Sequence, residues 1–99
     1  MATLTDCEEV VILRMYNLRI IGMAYLPVWK VEAKVEWTKL LKKYNCQTRK
    51  FERLLDHLYQ YRLVDDHGKR KEVASLSPTG TAYAVSLMKM KRFPDETII

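Results

Sequence analysis

The residues with the clearest chemical use lie in one stretch, Gln47-Thr48-Arg49-Lys50, with Arg53 shortly after. A guanidinium can bond guanine bidentately, a carboxamide does the same with adenine, and threonine can touch the thymine methyl. Lys and Arg also neutralise phosphates. A second cationic run, Lys69-Arg70-Lys71, follows Gly68 at an expected hairpin tip, within reach of the DNA backbone or an adjacent minor groove. Lys39, Lys42 and Lys43 stand at the end of the preceding helical segment, where a backbone contact is plausible. A blander account competes with this one. Exposed Arg and Lys on a helix often form only a solvated face, and Glu52 and Asp56 have the spacing to pair with Arg49 and Arg53. From Gln47 to Val73 there are seven basic and five acidic residues, a thin surplus for a DNA-facing module.

Other chemistries find little support. No Gly-rich phosphate loop, no Ser/His/Asp grouping and no set of residues with metal-ligand spacing is present, so no enzyme, cofactor or metal is expected. Asp65-Asp66 reads as a wet turn, His57 as a surface residue and His67 as a turn residue. Cys7 and Cys46 are too few for a secreted disulfide scaffold and read as buried packing residues, although hyperthermophile proteins do use intracellular disulfides. Cys7, near the start of a helix, could also approach the same residue in a second copy. Trp29, Trp37 and the tyrosines could stack on single strands, but most tyrosines sit at helical spacing among apolar neighbours and should pack.

The chain that must position these groups has 99 residues, 48% apolar and 29% charged, which suits one globular domain. Seventeen Lys+Arg against twelve Asp+Glu give +5, a surplus that fits a polyanion partner without requiring one. The longest apolar run, Ile20 to Trp29, is too short to cross a membrane. The N-terminus lacks the pattern of a signal peptide, so a cytoplasmic location is expected.

Four helical segments and a hairpin are expected. Helix one spans 5–23, with Thr5 and Glu8 spaced as a capping box. Its apolar residues lie on two sides, Val11, Met15 and Leu18 against Leu13, Tyr16 and Ile20, with Arg14 and Asn17 between, so a subunit interface is the natural second cover. Helix two spans 30–44, net +3, with Asn45 suited to a left-handed residue beyond its end. The third helix spans 47–62, with Phe51, Leu54, Leu55 and Leu58 as its apolar stripe. A hairpin spans 63–76. The last helix spans 78–92, opened by Ser77 as cap and Pro78 at its first position, and residues 94–99 read as a frayed tail.

This order, two helices around a turn, then a hairpin, then a helix, resembles the winged helix-turn-helix regulators: mainly α with a small β-hairpin (α+β). The segment from Leu41 to Val64, LKKYNCQTRKFERLLDHLYQYRLV, is similar to the helix-turn-helix of MarR-like, PadR-like and small archaeal or archaeal-virus regulators. The segment LSPTGTAYA from Leu76 resembles the family's Leu-Thr-Pro-x-Gly signature after the wing. In that pattern Cys46 plugs the turn and Gln47 opens the recognition helix, while Arg62 departs from the usual Gly. The resemblance implies a sequence-specific double-stranded DNA-binding transcriptional regulator. Its recognition helix would enter the major groove, and Gln47, Thr48, Arg49, Lys50, Arg53, Lys69, Arg70 and Lys71 would contact DNA. It also implies a homodimer, which the apolar faces of the first and last helices support independently. The alternatives are a protein-interaction winged-helix scaffold and a nonspecific architectural DNA binder.

Overall fold

The capping box forms as its spacing predicts. The Thr5 hydroxyl accepts from the Glu8 N–H, and the Glu8 carboxylate accepts from the Thr5 N–H, opening α1 (Asp6–Asn17). A computed structural model describes residues 4–65, 67 and 72–96. Within them the chain continues through β1 (Leu26–Pro27), α2 (Val28–Lys34), α3 (Trp37–Lys43), α4 (Phe51–Gln60), β2 (Val64–Asp65), β3 (Val73–Leu76) and α5 (Pro78–Lys89). This is an α+β domain with five helices and a three-stranded antiparallel sheet, strand order β1-β3-β2, among the described residues. Leu26 pairs with Ala74, and Val64 with Leu76.

Helix one is shorter than its apolar run suggests, ending at Asn17 rather than near residue 23. Arg19 turns left-handed (φ 62°) and the Ile20 N–H reaches back to the Met15 carbonyl, the geometry that closes a helix over its own last turn. Residues 20–22 then hydrogen-bond to Leu76, extending the sheet region where helix had been expected. The same closure recurs twice. Arg62 (φ 59°) ends α4, with Leu63 N–H on the Leu58 carbonyl, and Lys91 (φ 55°) ends α5, with Arg92 N–H on the Leu87 carbonyl. Each left-handed position, usually glycine, carries a cation, which suits the negative end of a helix dipole.

The segment read as helix two, 30–44, is two helices. Glu36 is left-handed (φ 58°) and divides α2 from α3. Arg14 takes the Val35 carbonyl at 2.6 Å, drawing it into a contact with another helix. Asn45 is not the left-handed residue; α3 closes through an extended Tyr44. The helix expected over 47–62 begins at Phe51, so Gln47 does not open it and residues 47–50 are non-helical. The last helix, expected over 78–92, ends at Lys89.

The LSPTG segment has a physical reason. The Ser77 hydroxyl accepts from the Gly80 N–H and donates to the Arg62 carbonyl, tying the start of α5 to the end of α4. A Cβ on Gly80 would sit 1.9 Å from the Leu63 carbonyl oxygen, so only glycine fits.

The core is built on α1. Cys7, Val10, Val11, Ile12, Leu13 and Met15 are fully buried, as are Leu40, Leu58, Leu76 and Leu87 from surrounding elements. Val11, Leu13, Met15 and Ile20 are therefore covered by the chain itself, whereas Leu18, from the same apolar run, is 41% exposed. The cysteines are not separate packing residues. Cys7 and Cys46 form an intrachain disulfide that fastens the α3–α4 connection to α1 and leaves Cys7 unavailable to a second copy.

The tail is not frayed at Glu96, whose side chain is 5% exposed. Its carboxylate accepts from Arg14 Nε (2.9 Å), Lys43 Nζ (3.2 Å) and the Tyr44 hydroxyl (2.8 Å). Asn17 Nδ2 donates to its backbone carbonyl. Burial alone would raise the Glu96 carboxyl, but the bonds from Arg14, Tyr44 and Lys43 outweigh it and hold its pKa down at about 2. No helix among the described residues is long and apolar enough to cross a membrane.

Candidate nucleic-acid interface

The platform beneath the cationic segment is rigid. Phe51, Leu54, Leu55 and Leu58, the expected stripe, are all buried and fix one face of α4 against the core. Trp37 is buried beside Phe51, with ring centroids 5.3 Å apart, and its Nε1–H donates to the Arg49 carbonyl at 3.0 Å. That bond sets the path of the chain just before α4. The Thr48 hydroxyl accepts from the Lys50 N–H at 3.2 Å, a local turn that delivers Lys50 to the N-cap position. The disulfide holds the other end of the same connection.

Gln47, Arg49, Lys50 and Arg53 are exposed on this platform, and Thr48 is half-buried. Arg49, Lys50 and Arg53 make no ion pair with another described residue, so the pairing with Glu52 and Asp56 that spacing allowed does not form. No side chain caps α4. Its N-terminal N–H groups and positive dipole end thus stand among three cations and one carboxylate, Glu52, a net positive end suited to phosphate. Gln47, Thr48 and Arg53 also line a cleft of about 440 Å³ with Thr5, Glu8 and His57. The His57 Nδ1 contacts the Glu8 carboxylate, so this histidine is a tertiary contact rather than a purely surface group.

The other expected cations divide. Lys42 is exposed and makes no ion pair with a described residue, whereas Lys39 pairs with Glu36 (2.8 Å) and Lys43 with Glu96. Lys69, Arg70 and Lys71 lie outside the described residues. His67 does serve a turn. Its N–H donates to Asp65 Oδ1, and its Nε2 lies 2.8 Å from the Ser75 hydroxyl, which itself donates to the Gly22 carbonyl. Among the described residues, no three His, Cys, Asp or Glu are grouped to hold a metal.

On the other flank of α4, Glu52, Asp56 and Tyr59 follow at i, i+4 and i+7 and face a second cleft, of about 430 Å³, against α2. No Lys or Arg lines that cleft among the described residues. Sequence reasoning missed this surface. The signal was Glu52 standing about 100° round the helix from Arg53, with Asp56 between the two flanks, visible on a helical projection once the helix start is known. Compared with known proteins, the chain matches no family model, no curated protein and no solved structure.

Proposed function

We propose that this chain is a winged helix-turn-helix regulator that reads specific sequences in double-stranded DNA. The observation that carries the reading is the uncapped N-terminus of α4, with Arg49, Lys50 and Arg53 exposed and without ion pairs among the described residues. The element order supports it: helices α2 and α3, a connection, α4, then β2 and β3 as a hairpin and α5 behind. In this reading the non-helical segment 47–50 and the Arg53 side of the first turn of α4 enter the major groove end-on, with Glu52 on the flank that faces α2. Lateral insertion would bring Glu52 and Asp56 against phosphates. Arg49 and Arg53 read base edges or clamp phosphates, Gln47 and Thr48 add base contacts, and Lys42 holds the backbone. Lys69, Arg70 and Lys71 are assigned to the backbone or adjacent minor groove on the sequence resemblance alone.

A homodimer belongs to the same proposal, with two reading heads about 34 Å apart, one DNA turn. Its surface is the first and last helices, where Leu18 at the end of α1 is 41% exposed and Met90 just past α5 is 63% exposed. Sedimentation as a monomer at high micromolar concentration contradicts the dimer without touching the DNA reading.

Fluorescence anisotropy with a random duplex at two salt concentrations tests the main reading. Four phosphate-contacting cations per protomer give a log–log salt slope of about −3.6 per protomer. Selection from a random duplex pool must then return a preferred site. Equal affinity for every sequence would make the chain an architectural binder, and no binding at low salt would remove duplex DNA as the partner.

A further inference from the structure

Although the chain carries +5, one cleft on it is acidic. The floor between α2 and α4 is apolar: Leu55 is buried, Tyr59 half-buried, and Trp29 lies 69% exposed at one wall. Glu32, Glu52 and Glu72 stand around that floor, and none makes an ion pair with another described residue. No Lys or Arg lines the cleft among the described residues. Its walls are fixed. The Val28 N–H donates to the Glu72 carbonyl at 2.8 Å, joining α2 to the start of β3, and the Tyr59 hydroxyl donates to the Val73 carbonyl at 3.1 Å.

Two physical facts select the occupant. Carboxylates unpaired among the described residues, as Glu32, Glu52 and Glu72 are around this apolar floor, repel nucleic acid and attract cations. The exposed Trp29 indole beside them, whose ring the chain's own Lys30 Nζ approaches to 6.0 Å from the centroid, offers apolar contact. We propose that this cleft docks a cationic segment of a partner protein, with an apolar anchor seated between Trp29 and Leu55 and Lys or Arg side chains on Glu32, Glu52 and Glu72. Helix α4 then separates this cleft, lined by Glu52, from the one lined by Arg53. Their residues do not overlap except at Asp56, which borders both clefts.

The test uses the full oxidised chain and a panel of synthetic amphipathic peptides bearing Lys or Arg around a Leu or Phe anchor, with Glu-for-Lys counterparts as controls. Trp29 is the exposed tryptophan and Trp37 is 3% exposed, so indole emission reports the cleft. Saturable emission change with at least one basic peptide is expected, along with amide shifts confined to residues 28–32, 52–59 and 72–73. The double variant Glu32→Gln, Glu52→Gln should weaken that binding at least tenfold while keeping the helical circular dichroism of the parent. The inference is overturned if no basic peptide saturates up to millimolar concentration, if acidic controls bind equally, or if the shifts map elsewhere. It is equally overturned if duplex DNA or a second copy of the chain produces the same shifts.

Discussion

Replacing Glu96 by Gln should expose how a carboxylate near the chain's end holds the fold together. Three donors from two helices converge on the Glu96 carboxylate, Arg14 in α1 with Lys43 and Tyr44 at the end of α3, while Asn17 at the end of α1 holds its backbone carbonyl. Its folded pKa is about 2 against an ordinary 4.5. The folded chain therefore binds fewer protons there than the unfolded chain, so stability rises with pH. The contribution is fully present above about pH 5 and is lost as pH falls through about 2. The difference corresponds to about 3 kcal/mol at pH 7 and about 1 kcal/mol at pH 3. Gln keeps the shape but not the charge. Lys43, half exposed, can return to water, and Arg14 still has the Val35 carbonyl, so the loss should not greatly exceed that figure. With a slope of about 1.5 kcal/mol/M, the urea midpoint of Glu96→Gln should fall by about 2 M at pH 7 and by about 0.7 M at pH 3. An equal gap at both pH values would show that the charge is not what stabilises this contact.

Three further perturbations follow from the fold. Gly80→Ala must push the Leu63 carbonyl aside and should cost about 3 kcal/mol in urea unfolding; a loss below 0.5 kcal/mol, on the order of an ordinary surface change, would mean the close approach is not real. Arg62→Gly removes a left-handed side chain and should gain about 0.5–1 kcal/mol, read as a higher thermal midpoint, and a lower midpoint would speak against the strained closure. Reducing the Cys7–Cys46 bond, which closes a span of 39 residues, should cost about 4 kcal/mol on the chain-entropy account. Thiol titration of the unfolded, unreduced chain should find no free thiol, and finding two would disprove the bond.

Local chemistry was legible where a short segment decides its own structure. Thr5 and Glu8 form their capping box, Ser77 and Pro78 open α5, and the stripe from Phe51 to Leu58 is buried as its period requires. Long-range contacts decided the rest. Nothing in VWKVEAKVEWTKLLKK marks a break at Glu36; the interruption accompanies Arg14 claiming the Val35 carbonyl and Trp37 turning inward to the Arg49 carbonyl. Helix one looked overlong because Ile20 and Ile21 continue its apolar run, yet they serve the sheet through Leu76. The start of α4 at Phe51 is not legible because Gln47 to Lys50 are acceptable in a helix, while the disulfide and the Trp37 bond shape them otherwise. The cationic residues of the candidate site were readable by type. Their freedom from Glu52 and Asp56 was not, because spacing permits a pair without requiring it.

The most direct measurement compares the affinity of a selected duplex for the parent chain and for the double variant Arg49→Ala, Arg53→Ala. Loss of two base-reading or phosphate-clamping groups should weaken binding by at least about 30-fold, at roughly 1–3 kcal/mol each, with the thermal midpoint unchanged. Undiminished affinity in the double variant would mean that duplex DNA does not meet the end of α4, and the proposed regulator would lose its reading head.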